Sequence, residues 1–271
     1  MVRKLIKHEM NAFARSMLPM EIILLGMAVL TRFVQLFETE SSAYNTVRTS
    51  SIVMFVIAIV VCLVMTVVVS IRRFYVNLFS SEGYLTLTLP VTAEQHIFVK
   101  LLISVMSLII TVLTVIVSCC IATMGDVLVE VCKAIDYLFG QCYNLLGGHT
   151  VAYIFEAVIL ALAIFISQYL LFYACISIGQ TARKNRVLAA FGVYFAYYIF
   201  TQILGTVFII IVNSEPNWLI VLFNRMSSFS EQHPFAFVHL IFIGLTVFYA
   251  VLSVVYFLVS RYIIKNRLNL E

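Results

Sequence analysis

Charge is what this sequence has least of. Asp, Glu, Lys and Arg together make up 11% of its 271 residues, against 63% hydrophobic residues. Soluble domains carry about 25% charged residues, so a water-soluble globular fold is excluded, and a mean hydropathy of +1.06 agrees. Catalytic signatures are missing as well. There is no GxxxxGK[ST], so no P-loop of the chain's own for ATP. There is no HExxH and no GxSxG. No CxxC pair and no His/Cys cluster points to a metal. The five histidines (His8, His96, His149, His233, His239) are scattered. His239, the one well inside an apolar run, reads as an ordinary helix histidine satisfied by its neighbours.

The six cysteines divide into two groups. Cys62, Cys119, Cys120 and Cys175 lie in or beside apolar runs and read as small packing residues. Cys132 and Cys142 share one segment and could form a disulfide there, unless ten residues of continuous helix hold them too far apart. The net charge of +4 does not argue for nucleic acid. The basic residues sit singly or in threes at the ends of apolar runs, which is the pattern of membrane topology.

What is present is a series of apolar runs. Residues 2–17 show Val2, Leu5, Ile6, Met10, Phe13 and Met17 at helical spacing, with Arg3, Lys4, Lys7, His8, Asn11 and Arg15 elsewhere. This predicts an amphipathic helix over 1–18 lying in the membrane interface, its cations towards anionic lipid, with an ordinary positively charged flank to the first span as the alternative. Pro19 opens the first span, about 20–37. The second covers about 51–71, the third about 98–124, the fourth about 151–177, the fifth about 187–212 and the sixth about 235–259. Residues 125–150 predict an amphipathic helix or an extension of the third span, ending near Gly140, or at the latest by Gly147–Gly148. In the external segment 214–234, Ser214 is placed to cap a short helix with Glu215 and Pro216 in its first turn. Trp218, the single tryptophan, suits an interface.

Thirteen of the seventeen Lys and Arg residues fall on one side of this arrangement: Arg3, Lys4, Lys7, Arg15, Arg72, Arg73, Lys100, Arg183, Lys184, Arg186, Arg261, Lys265 and Arg267. The opposite side holds Arg48, Lys133 and Arg225, and Arg32 lies within a span. The positive-inside bias predicts an all-α integral membrane protein of six transmembrane helices, with both termini in the cytoplasm.

Few polar groups interrupt the spans. Arg32 and Glu156 both lie roughly 8–9 Å below the outer surface at ~1.5 Å rise per residue. They either pair within the bundle, or Arg32 snorkels outward while Glu156 faces water. Gln168 in the fourth span and Tyr194, Tyr198 and Gln202 in the fifth are candidates for lining a path for an amphiphile, with packing against a neighbouring span as the alternative.

The longest polar interruption on the cytoplasmic side is residues 72–100, RRFYVNLFSSEGYLTLTLPVTAEQHIFVK. Its apolar content is high for a solvent loop. Gly83 permits a turn, Pro90 stops what precedes it, and Thr92 with Gln95 forms a capping box that opens the next helix. The run NLFSSEGYLTLTLPVTAEQHIFVKLL resembles the loop between the second and third spans of type-2 ABC exporter permeases. The matching residues are Glu82, Gly83, Tyr84, Leu85, Leu87, Leu89, Pro90, Val91, Thr92 and Lys100. That resemblance implies a coupling helix docking a separate ATPase subunit, through Glu82, Gly83, Tyr84, Leu85, Pro90, Val91, Thr92, Glu94 and Gln95.

The resemblance further implies two copies of that ATPase, with Mg-ATP bound there and no cofactor in this chain. It implies a second permease, identical or related, as dimer partner, and a place in a bacterial plasma membrane exporting an amphiphilic peptide, drug or lipid. Two other readings keep the partner ATPase or the fold but change the role. One is a six-span substrate-capture subunit of a vitamin importer, against which there is no alanine-repeat face. The other is a non-transporting sensor or immunity subunit.

Overall fold

The computed structural model describes residues 2–37, 41–79, 92–123, 126–182, 184–214 and 217–266. Among these the regular elements are all helical: α1 Val2–Gln35, α2 Ser42–Phe79, α3 Ala93–Thr123, α4 Asp126–Leu146, a 3-10 turn Gly147–His149, α5 Thr150–Gly179, α6 Arg186–Asn213, α7 Asn217–Gln232 and α8 Pro234–Asn266. Six of them, α1, α2, α3, α5, α6 and α8, are long and apolar enough to cross a membrane. The chain forms two compact units, Met1–Gln141 and Cys142–Glu271.

In the first unit α1, α2 and α3 pack pairwise on one another. Leu24 and Ala28 of α1 meet Phe55 and Cys62 of α2 and Ala122 of α3 in one apolar cluster. Phe13 and Met17 meet Val99 and Ile103 in another. Between α2 and α3 the contact is polar but self-satisfied. The hydroxyls of Thr66 and Thr111 lie 3.0 Å apart, and each is also within hydrogen-bonding distance of a carbonyl of its own helix, Cys62 and Ser107, so one hydroxyl donates across the helices while the other donates to its own carbonyl. Ser70, Ser104, Ser107 and Ser118 are buried nearby. Small hydroxyl residues let apolar helices approach closely without leaving a polar group unpaired, which is how helices associate where lipid removes the hydrophobic drive.

Pro19 lies inside α1 rather than at the start of a second helix. The expected interfacial helix is therefore not a separate element. Proline removes one helical hydrogen bond, but Phe13 and Met17 before it and Leu24 and Ala28 after it are anchored on α3 and α2, and this packing holds the helix together across it. α2 also exceeds its apolar run at both ends. Ser41 caps it, its hydroxyl accepting from the Tyr44 backbone N–H at 3.1 Å. With 38 residues it is about 57 Å long, against a hydrocarbon core of about 30 Å. α4 passes Gly140 and stops at Leu146, where Gly147 adopts φ +56°. Only glycine takes that left-handed conformation without strain, and it ends the helix.

In the second unit α5 packs along α8 and against α6, and α7 packs on α8. A Cβ at Gly179 would lie 2.5 Å from the backbone nitrogen of Ala190. The absent side chain is what allows α5 and α6 to close on each other across the basic turn. Phe172 stacks on Tyr194 with ring centroids 5.4 Å apart, and the hydroxyls of Tyr197 and Tyr256 meet at 2.6 Å. α6 has no buried residue. Ser214 differs from expectation. Its hydroxyl donates to the Ile211 carbonyl at 2.8 Å and so finishes α6 instead of starting α7. Glu215 and Pro216 lie outside the described residues.

Candidate functional site

The residues that bound the 72–100 segment converge on one carboxylate. Arg73 stands on α2 and Lys100 on α3, where both helices reach the basic side of the unit. Glu9 lies on α1 one turn before Phe13 and two before Met17, and all three are buried. Its Oε1 accepts from Lys100 Nζ at 3.0 Å and from Asn77 Nδ2 at 3.0 Å. Its Oε2 accepts from Arg73 Nη2 at 3.1 Å. The Glu9 and Lys100 side chains are 6% and 5% exposed. One carboxylate thus binds two cations and an amide from the two helices that lead into and out of the segment.

The segment's carboxyl-terminal end is built as its sequence implies. Thr92 N–H donates to Gln95 Oε1 at 3.3 Å, and Gln95 N–H donates to Thr92 Oγ1 at 3.4 Å. This reciprocal cap satisfies two of the backbone donors that a helix start leaves free. α3 then runs without a break from Ala93 through Lys100 to Thr123. Glu94 and Gln95 are exposed beside it. Glu82, Gly83, Tyr84, Leu85, Pro90 and Val91 lie outside the described residues.

The candidates within the apolar helices lie on α1, α5 and α6. Gln168, Tyr198 and Gln202 are exposed on their helices, and Tyr194 is half-buried against Phe172. Arg32, in the first unit, is half-buried. Glu156, in the second, has a partner that periodicity did not suggest. Its Oε1 lies 2.7 Å from Nδ1 of His239 on α8. His239 Nε2 in turn lies 3.2 Å from Nδ1 of His149. Cys132 and Cys142 are free thiols, both exposed. Among the described residues no three His, Cys, Asp or Glu side chains are arranged to hold a metal ion.

Sequence reading missed Glu9 and the His239–Glu156 contact. Glu9 left a usable signal, since it falls four residues before Phe13 and eight before Met17 on the packed face of an otherwise basic segment. The histidine contact spans 83 residues, and no local pattern encodes it. Comparison with protein-family models, with curated proteins and with solved structures finds no match to this chain.

Proposed function

We propose that the chain is the membrane-spanning permease subunit of a type-2 ABC exporter in a bacterial plasma membrane. It works as a dimer with itself or a related permease, and two copies of a separate ATPase supply Mg-ATP hydrolysis. Both termini are cytoplasmic, and the basic amphipathic half of α1, residues 2–18, stands at the cytoplasmic face. The cargo is an amphiphile, a peptide, drug or lipid.

The observation that carries this reading is the Glu9 clamp. Docking alone moves nothing unless the docked segment is mechanically joined to the spans. Glu9 ties the roots of the 72–100 segment, Arg73 and Lys100, to α1. A displacement imposed on the segment is therefore delivered to α1, α2 and α3 together. The capped start of α3 adds a rigid lever on the same side. ATPase closure on ATP would move the segment and, through it, the spans.

The test is purification from the native membrane under mild detergent, followed by mass spectrometry. A P-loop ATPase recovered at one copy per permease supports the proposal. Recovery of the chain with no ATPase at any detergent concentration that preserves its helical content contradicts it.

A further inference from the structure

The second unit contains a hydrogen-bonded chain of titratable groups. His149 sits in the 3-10 turn before α5 and is exposed to solvent. His239 lies one to two turns into α8, and Glu156 two turns into α5. From the surface inward the contacts are His149 Nδ1 to His239 Nε2, 3.2 Å, then His239 Nδ1 to Glu156 Oε1, 2.7 Å. The inner end is the other carboxylate oxygen, Glu156 Oε2, which is buried and has no hydrogen-bond partner.

The rings are held in place. His239 stacks on Tyr153 with centroids 4.3 Å apart, and His149 stacks on Phe235 at 5.0 Å and 11°. Tyr153 is itself fixed, its hydroxyl donating to the Phe235 carbonyl at 2.9 Å. The geometry of the chain is thus set by packing rather than by the hydrogen bonds alone.

We propose that His149, His239 and Glu156 form a proton-binding relay leading from the exposed His149 ring to the half-buried carboxylate of Glu156. A neutral imidazole has one nitrogen that donates and one that accepts, so each ring passes a proton through without itself ending charged. A hydronium ion at the surface gives a proton to His149 Nε2 and is left as water. The proton on His149 Nδ1 moves to His239 Nε2. The proton on His239 Nδ1 moves to Glu156 Oε1. The sum is one proton gained and one carboxylate neutralised, with both rings left neutral in the opposite tautomer. The second carboxylate oxygen, Oε2, has no hydrogen-bond partner and marks the inner end of the relay.

The relay also has a limit. The 3.2 Å contact between the two rings holds one proton. Two imidazoliums facing each other there would repel, so beyond the proton taken up by Glu156 the pair of rings holds at most one more. The titratable groups around the chain are few. Tyr153 lies on α5, Arg225 and Glu231 are exposed on α7, and His233 is exposed at the α7–α8 junction. None of these is hydrogen-bonded to the relay. The inference does not depend on the coupling-segment reading.

The test is NMR on the full chain in nanodiscs with 15N-labelled histidine, following both ring nitrogens across a pH series. The relay predicts a through-hydrogen-bond coupling between His149 Nδ1 and His239 Nε2, and pH profiles that move together in the two rings. It also predicts that Glu156→Gln changes the His149 profile, although Glu156 does not touch His149. Independent profiles, or a His149 profile unmoved by Glu156→Gln, overturn the proposal. If Glu156→Gln fails to fold, infrared difference spectra of the unmodified chain decide it. A carboxyl band that appears on acidification and is absent in His239→Gln supports the relay, and the same band in both proteins overturns it.

Discussion

Lys100 Nζ lies 3.0 Å from Glu9 Oε1, across 91 residues of sequence, and both side chains are almost fully buried. This contact joins the start of α3 to the basic amino-terminal half of α1. A buried ion pair contributes little net stability when formed, because desolvation offsets the attraction, but it is costly to break from one side.

That asymmetry makes a prediction with an internal order. Glu9→Ala removes the carboxylate that Arg73 and Lys100 share and should destabilise the first unit by about 3–5 kcal/mol. Lys100→Ala leaves Glu9 with Arg73 and Asn77 and should cost clearly less. Denaturant titrations in detergent, followed by helical circular dichroism, measure both. Equal losses would mean that the carboxylate is not the centre of the cluster.

Gly179→Ala places a methyl group 2.5 Å from the Ala190 backbone. Backbone atoms of a packed helix yield less easily than the end of a flexible side chain. The substitution should cost about 1–3 kcal/mol by overpacking. Gly192, whose Cβ position is open, serves as the control, and Gly192→Ala should be neutral or slightly stabilising. The paired comparison is a thermal-shift measurement on both variants.

The Thr66–Thr111 contact joins α2 to α3 at 3.0 Å. The hydroxyl that donates across does so in place of a bond to its own helix carbonyl, so the cross-helix term should be small. A double-mutant cycle with Thr66→Val and Thr111→Val should return a coupling of about 0.6 kcal/mol, the average for such pairs inside membranes. A coupling near zero would mean that the two hydroxyls merely sit side by side.

Topology is open to thiol chemistry. Cys132 and Cys142 are free and exposed on α4. In intact cells a membrane-impermeant maleimide should label both. A cysteine introduced by Lys184→Cys should be labelled only after the membrane is permeabilised. Labelling of position 184 from outside would reverse or break the six-span arrangement.

The parts of the fold legible in the sequence are those written in local pattern. The Thr92/Gln95 cap is a spacing rule and is found as hydrogen bonds. The six long apolar helices follow from run length. What escaped depends on partners distant in the chain. Pro19 reads as a helix start until Phe13, Met17, Leu24 and Ala28 are seen anchored on both sides of it. Ser214 is an equally good cap for the next helix or a stop for the last, and its hydroxyl turns back to Ile211. Glu9 reads as one acid among four basic residues until α2 and α3 bring Arg73 and Lys100 to it. His239 reads as a lone helix histidine until α5 brings Glu156 beside it.

The measurement that bears most directly on the central claim is ATPase binding by a chain altered only between Glu82 and Gln95. The unaltered chain should copurify a P-loop ATPase at one copy per permease. Replacing Glu82, Gly83, Tyr84 and Leu85 together should abolish that recovery while leaving helical content intact, and Glu9→Gln should retain the ATPase. Undiminished recovery by the segment variant would contradict the assignment of residues 72–100 as the docking site.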